Sequence, residues 1–125
     1  MDQFSFAFVS DEQIDLNRLE RGLALEGVPV GDGRWRMDGG REPHWVDLKT
    51  PNTPRCDCGD HLWREATCKH ILAALLREGH PRVIAAVGQL VQSLRASASE
   101  GWRRHRASSD MHARALRVLV DVSGN

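Results

Sequence analysis

The chain has 125 residues, of which 41% are hydrophobic, and its 17 basic and 17 acidic side chains leave no formal net charge at pH 7. This size fits one compact domain, or a small module with a helical appendage. The longest apolar run, Ile71–Leu76, is too short to span a membrane, so no membrane association is expected.

The charges are unevenly distributed along the chain. Residues 1–50 carry six Arg or Lys against ten Asp or Glu, whereas residues 51–125 carry eleven against seven. This asymmetry is much weaker than the strongly basic profile of a dedicated DNA-binding protein. It permits nucleic-acid binding without requiring it.

The N-terminal segment, residues 1–27, predicts a strand followed by a helix. Phe4, Phe6 and Phe8 alternate with smaller residues and give the strand one apolar face. That face either completes the core sheet or docks on a partner, and the sequence leaves both alternatives open. Residues 10–13 resemble a capping box that opens a helix ending at Gly27. The apolar positions of this helix are Ile14, Leu16, Leu19 and Leu23.

The middle segment, residues 28–79, begins with a predicted β-hairpin. Residues 28–37 and 44–49 are expected as strands with Gly/Asp-rich turns at 31–33 and 38–40. Residues 50–54 contain two prolines and form a stiff connector that leads the chain to Cys56.

All three cysteines of the chain fall into one metal-ligand pattern. Cys56 and Cys58 form a CxC pair, and after nine residues Cys68 and His70 form a CxH pair. Zinc prefers thiolate and imidazole, and four such ligands complete its tetrahedral shell. The sequence therefore predicts one structural zinc ion.

The spacing also predicts how these ligands are presented. Residues two apart on a strand point to the same face, so Cys56 and Cys58 are expected on a strand that ends in a turn at residues 59–60. Cys68 and His70 are expected where the chain enters a helix, with Thr67 as its N-cap.

Other chemistry for the cysteines and for the chain is less well supported. A disulfide between Cys56 and Cys58 would close a strained loop and would leave Cys68 unexplained. Free thiols, together with a start that lacks a basic cluster followed by an apolar stretch, predict a cytoplasmic protein.

Four protein ligands leave zinc no open position for water, and no phosphate loop or nucleophile elbow is present. Catalysis is not expected.

The ligand pattern resembles the SWIM-type zinc finger, which has CxC, a variable gap, and CxH opening a helix. The matching positions are Cys56, Cys58, Asp60, Cys68, Lys69, His70, Ile71, Leu72 and Ala73. Residues 33–37 and 44–48 are similar to the hairpin that often precedes the ligands, so the resemblance covers roughly residues 28–78. The family commonly has an aromatic residue just after the Asp; here His61 stands there, and Trp63 is expected to take over.

The resemblance implies a small ββα-like zinc module. Such modules occur in Mutator-type transposases, Snf-type helicases, ubiquitin-ligase-like proteins and partners of recombination factors. The roles proposed for the family are binding DNA or another protein, and it is not known as a catalytic fold.

The C-terminal segment, residues 80–125, predicts two amphipathic helices separated by a flexible joint at residues 95–101. These helices either pack on each other and on the zinc module, or one of them docks on a partner. The apolar positions of the first are Val83, Ile84, Val87, Leu90, Val91 and Leu94. The second starts near Ser109, with Met111, Ala115, Val118, Leu119 and Val122 as its apolar positions.

Two groups of basic residues are candidates for nucleic-acid contacts. The first combines an aromatic ring with arginines and comprises Trp102, Arg103, Arg104 and Arg106, unless this run is simply a solvated start of the last helix. The second surrounds the finger and comprises Arg55, Arg64, Lys69 and Arg77. The remaining tryptophans, Trp35, Trp45 and Trp63, are predicted to pack around a finger too small for its own core.

The sequence thus predicts an α+β fold: a small zinc-stabilised hairpin and helix module with flanking amphipathic helices, packed as one domain. The predicted function is non-catalytic recognition, as a DNA-binding module or as an adaptor subunit of a nucleic-acid-processing complex. The expected partners are DNA or RNA and a larger protein of the transposase, nuclease or helicase type. The alternative is a purely protein-binding adaptor without nucleic-acid contact.

Overall fold

The computed structural model describes residues 9–49, 53–100 and 114–119. The predicted strand of Phe4, Phe6 and Phe8 and the basic run that starts at Trp102 lie outside these residues. The strands are β1 (Glu26–Gly31), β2 (Arg34–Asp38), β3 (His44–Asp47) and β4 (Arg55–Cys56). The helices are α1 (Leu16–Gly22), α2 (Gly59–Arg64), α3 (Lys69–Arg77) and α4 (Pro81–Glu100), and residues 114–119 are also helical. The α+β fold class is confirmed.

The four strands form one antiparallel sheet in the order β1-β2-β3-β4. Because side chains alternate between the faces, one face carries the buried Met37, Val46 and Cys56. The predicted hairpin turn joins β1 to β2, and all three of its residues, 31–33, have positive φ. Glycine adopts this conformation without steric cost, which explains the glycine-rich turn.

Helix α3 lies at the centre of the core. Its residues 70–76 are all buried, and the helix contacts every strand of the sheet as well as α1 and α4. A single cluster of buried side chains extends from Val9, before α1, to Ala115, beyond α4. The flanking helices therefore share their core with the segment that carries the cysteines.

The N-terminal helix is shorter than the sequence pattern predicts. The capping box forms, with the Ser10 amide donating to Gln13 Oε1 over 2.8 Å, but it opens only one 3₁₀ turn. Helix α1 begins after Asp15, whose carboxylate accepts hydrogen bonds from the backbone amides of Asn17 and Arg18. The helix ends at Gly22 rather than at the predicted Gly27. A carboxylate is a strong N-cap, so Asp15 sets the boundary.

Helix α4 packs on the core and is longer than predicted. Its buried apolar residues include Val83, Val87 and Leu90, and Ala115 of the helical segment 114–119 is fully buried in the same cluster. The predicted flexible joint is wrong, because residues 95–100 continue the helix. This stretch contains only helix-compatible residues and neither Gly nor Pro. None of the helices in residues 9–49, 53–100 and 114–119 has both the length and the apolar character of a membrane span.

Candidate metal centre

Four side chains converge beneath the sheet to form a compact cluster. Cys56 comes from β4, Cys58 and Cys68 directly precede α2 and α3, and His70 lies in the first turn of α3. All four residues are buried, and their ligand atoms lie within 4.8 Å of one another. Cys68 Sγ lies 3.8 Å from His70 Nδ1.

Local structure presents the ligands differently from the prediction in three places. Strand β4 ends at Cys56, so Cys58 does not lie on the strand with it. Residues 59–60 do not form a simple turn but begin the short helix α2, for which Cys58 is the N-cap. The N-cap of α3 is Cys68 rather than Thr67. Two helix N-termini therefore begin at ligand residues, and their partial positive charge favours thiolates there.

The cluster fits one structural zinc ion. In a tetrahedral site with Zn–S distances of about 2.3 Å, neighbouring sulfur atoms lie about 3.8 Å apart. The four ligand atoms lie within 4.8 Å of one another, so they need to move only slightly closer together to reach this geometry. Three sulfurs and one imidazole nitrogen are the donor set that zinc prefers in closed structural sites.

The electrostatics of the cysteines also favour a cation. Hydrogen bonding from Cys56, opposed by burial, lowers the pKa of Cys68 to about 4. The neighbouring Cys68 sulfur, followed by burial, raises the pKa of Cys56, and burial raises the pKa of Cys58. Ionising one of the three clustered sulfurs therefore disfavours ionising its neighbours. A divalent cation removes this conflict, because it stabilises all three thiolates together.

A second histidine and an aspartate support the site from the side of β3. The rings of His44 and His70 lie 4.7 Å apart at an angle of 50°. His44 Nδ1 lies 2.9 Å from Asp57 Oδ1, and the same oxygen accepts from the Trp45 amide at 3.1 Å. Asp57 stands between Cys56 and Cys58, so it ties the CxC pair to the start of β3. No local pattern in the sequence identifies His44 as a neighbour of the cluster.

The structure supports His70 over His61 as the fourth member of the cluster. His61 Nδ1 lies 2.9 Å from the carbonyl oxygen of Ala66. A carbonyl only accepts, so this nitrogen of His61 donates and is not available to a metal. The contact holds the loop between α2 and α3 instead.

An ion pair joins the N-terminal helix to the finger. Arg18 of α1 contacts Asp60 of α2 through two hydrogen bonds, Nε to Oδ2 at 2.6 Å and Nη2 to Oδ1 at 3.0 Å. These bonds raise the pKa of Arg18 and lower the pKa of Asp60. Because Asp60 lies two residues after Cys58, the pair fixes α1 beside the metal centre.

We expect Arg18→Gln and Asp60→Asn each to lower the free energy of unfolding of the zinc-loaded protein by about 1 kcal/mol. The side chains are 23% and 28% exposed, so solvent reduces the effect below that of a buried pair. Urea denaturation of both single variants and the double variant measures the coupling. Arg34→Gln is the matched control: its contact with Asp47 is 3.8 Å long and more exposed, and it should have almost no effect. If the loss of unfolding free energy in the double variant equalled the sum of the losses in the two single variants, a direct interaction between Arg18 and Asp60 would be contradicted.

The four basic residues near the finger that were predicted to contact nucleic acid differ in exposure and in hydrogen bonding. Arg55 and Arg64 are exposed, and Lys69 is half-buried. Arg77 donates to the carbonyl oxygens of Ala73 and Leu25 and so links α3 to the chain just before β1.

The tryptophans also differ from expectation. Trp35 packs against the core, and its Nε1 donates to Glu78 over 2.7 Å. Trp45 is 49% exposed and Trp63 is 84% exposed, so the prediction that all three pack around the finger holds for Trp35 alone.

A cleft of about 580 Å³ opens beside the metal cluster and contains basic residues from three helices. Arg18 and Arg21 come from α1, Trp63 and Arg64 from α2, and Lys69 from α3. The sequence interpretation named Arg64 and Lys69 but missed the two arginines of α1. No local pattern marks them, because their proximity to the finger arises only when α1 packs on α3.

Comparison with known proteins gives one match. A family model described as SWIM zinc finger matches residues 44–79, the segment that carries β3, β4, α2, α3 and all four clustered side chains. The chain matches no curated protein and no solved structure. A SWIM zinc finger is generally a binding module rather than a catalytic one. Residues 44–79 of this chain therefore match the SWIM zinc finger, and they contain a Cys₃His cluster that fits one structural zinc ion.

Proposed function

We propose that this chain is a non-catalytic recognition subunit that binds nucleic acid beside a larger enzyme of the transposase, nuclease or helicase type. The observation that carries the proposal is the convergence of cationic side chains from α1, α2 and α3 on one cleft at the zinc centre. Four protein ligands complete the zinc shell, so the metal holds this surface together rather than activating a water molecule.

The charge of the cleft supports a polyanionic ligand. Asp60 is the one carboxylate among the residues that line it, and its oxygens are already hydrogen-bonded to Arg18. Arg64 is 76% exposed in its side chain and lies 3.7 Å from the same carboxylate. In the described part of the chain, Arg21 and Lys69 form no ion pair, so their charges remain available for phosphate groups.

A salt titration tests the proposal. The zinc-loaded protein should bind fluorescently labelled single- or double-stranded DNA with micromolar or tighter affinity at low salt, and binding should weaken steeply as salt rises. Arg21→Gln and Lys69→Gln should each lower the affinity and reduce the slope of log K against log salt by about 0.7–0.9.

Arg34→Gln removes the same charge at a residue that does not line the cleft, and it serves as the control. The basic run of Arg103, Arg104 and Arg106 should be neutralised in a separate variant, so that its contribution is measured independently. Absence of binding to either DNA form at low salt would overturn the proposal.

A second candidate function, protein-binding adaptor, is favoured by a separate groove along the sheet. This groove of about 320 Å³ is mostly apolar and is lined in part by Val30, Trp45 and Leu62, which are 48%, 49% and 60% exposed. Exposed apolar patches with polar rims mark protein contact sites. An apolar partner segment bound there would show weak salt dependence and sensitivity to Trp45→Ala, with no effect of Arg21→Gln.

A further inference from the structure

Trp63 has an exposure that the fold does not explain. Its side chain is 84% exposed, the highest value among the large hydrophobic residues of the described chain. It belongs to α2, a helix of six residues that begins at Cys58. Burying an indole ring is strongly favourable, so an indole held in solvent contributes little to stability and has no packing role here.

The surroundings of Trp63 indicate what it could contact. It lines the same cleft as Arg21, Arg64 and Lys69, so an indole ring and cationic groups from three helices share one cavity. The apolar groove that would suit a protein segment lies elsewhere and does not include Trp63. An aromatic face beside several cations is the combination that binds the bases and phosphates of single-stranded nucleic acid.

A duplex would not use the indole face. In double-stranded DNA, neighbouring base pairs cover both faces of each base, and an exposed ring has nothing to stack on unless a base is extruded. An unpaired base offers a free face. A cleft of about 580 Å³ can hold such a base against its wall while adjacent phosphates reach the cations.

We infer that the cleft between α1, α2 and α3 binds single-stranded nucleic acid, with a base stacked on Trp63 and phosphates contacted by Arg21, Arg64 and Lys69. This inference rests on the proposed function and narrows it to one ligand form and one site. The zinc centre holds α2 at Cys58 and α3 at Cys68, so it fixes the two walls that carry Trp63 and Lys69.

The test compares wild type and Trp63→Ala, both zinc-loaded, in anisotropy titrations with oligothymidine of about a dozen nucleotides. Trp63→Ala should weaken binding by about tenfold to a hundredfold. Trp63→Phe should retain most of the affinity, because it keeps a stacking ring. Trp45→Ala removes an exposed tryptophan that does not line the cleft, and this variant should bind like wild type. Zinc content and thermal unfolding of Trp63→Ala should be unchanged, because the side chain is not packed.

An abasic oligonucleotide of the same length separates stacking from phosphate contacts. It should bind wild type and Trp63→Ala equally, since it offers no base, while Lys69→Gln should weaken its binding. A DNA duplex of the same sequence should also bind wild type and Trp63→Ala with equal affinity. An RNA strand titrated in parallel shows whether the sugar changes the affinity. Equal binding of oligothymidine to wild type and Trp63→Ala would overturn the inference but leave nucleic-acid binding intact. Failure of every oligonucleotide to bind would overturn the proposed function as well.

Discussion

Replacing Cys68 by Ser, or removing zinc with a chelator, should unfold at least residues 44–78. Zinc contributes about 10–16 kcal/mol to the folding of small finger peptides, whereas a whole domain is stable by only about 5–15 kcal/mol. Cys68 is fully buried at the start of the central helix α3, so loss of the metal also leaves charged or polar sulfur groups inside the core. Circular dichroism and amide hydrogen exchange measure the loss.

His70, a member of the cluster, and His61 provide a matched pair for this prediction. His70→Ala should lose zinc and unfold in the same way as Cys68→Ser. His61→Ala removes only a hydrogen bond to the Ala66 carbonyl, so the protein should keep its zinc and most of its helical signal. A metal-free protein with an unchanged dichroism spectrum and unchanged amide protection would show that zinc does not organise the fold.

Gly22→Ala should destabilise the zinc-loaded protein by about 1–3 kcal/mol, the usual cost of overpacking. A Cβ atom at Gly22 would lie 2.8 Å from the carbonyl oxygen of Lys69 and 3.5 Å from the Cβ of Ala73. The first contact is with backbone, so α1 must move away from α3. Lys69 stands between Cys68 and His70, and we therefore expect weaker zinc binding in addition to the lower unfolding free energy.

Gly88→Ala is the control for this prediction. Gly88 lies inside α4, and nothing approaches within 4 Å of the added Cβ. Alanine is the better helix former, so this variant should be stabilised by about 0.5–1 kcal/mol. Urea denaturation and competition with a zinc-binding dye measure both variants. If Gly22→Ala were as stable as Gly88→Ala, close packing between α1 and α3 would be contradicted.

Elements with a strong local signal were predicted well. The hairpin formed by β1 and β2 follows from alternating residues around a glycine-rich turn, and α3 and most of α4 follow from their apolar positions. Boundaries were less accurate. Helix α1 begins at the cap provided by Asp15, and α2 was missed because six residues are too few to show a helical period.

The exposure of individual side chains could not be derived from their type. Trp35 and Trp63 are the same type of residue, yet Trp35 packs on the core and Trp63 is 84% exposed. Trp35 lies on the sheet face that α3 covers, whereas Trp63 lies on the short helix α2 and lines the open cleft beside the metal cluster. Which surface a neighbour covers depends on the packing of whole elements, and a local sequence window does not contain that information.

The sequence by itself determined the metal chemistry. Zinc selects thiolate and imidazole donors, and the CxC and CxH spacings are local enough to identify Cys56, Cys58, Cys68 and His70 without a structure. Only the tertiary structure placed Arg18 and Arg21 beside that centre. They precede Asp60 by about forty residues, and the packing of Gly22 against Lys69 brings their helix to the finger. Ligand identity follows from the chemistry of single side chains, whereas the cationic cleft follows from contacts between elements distant in the chain.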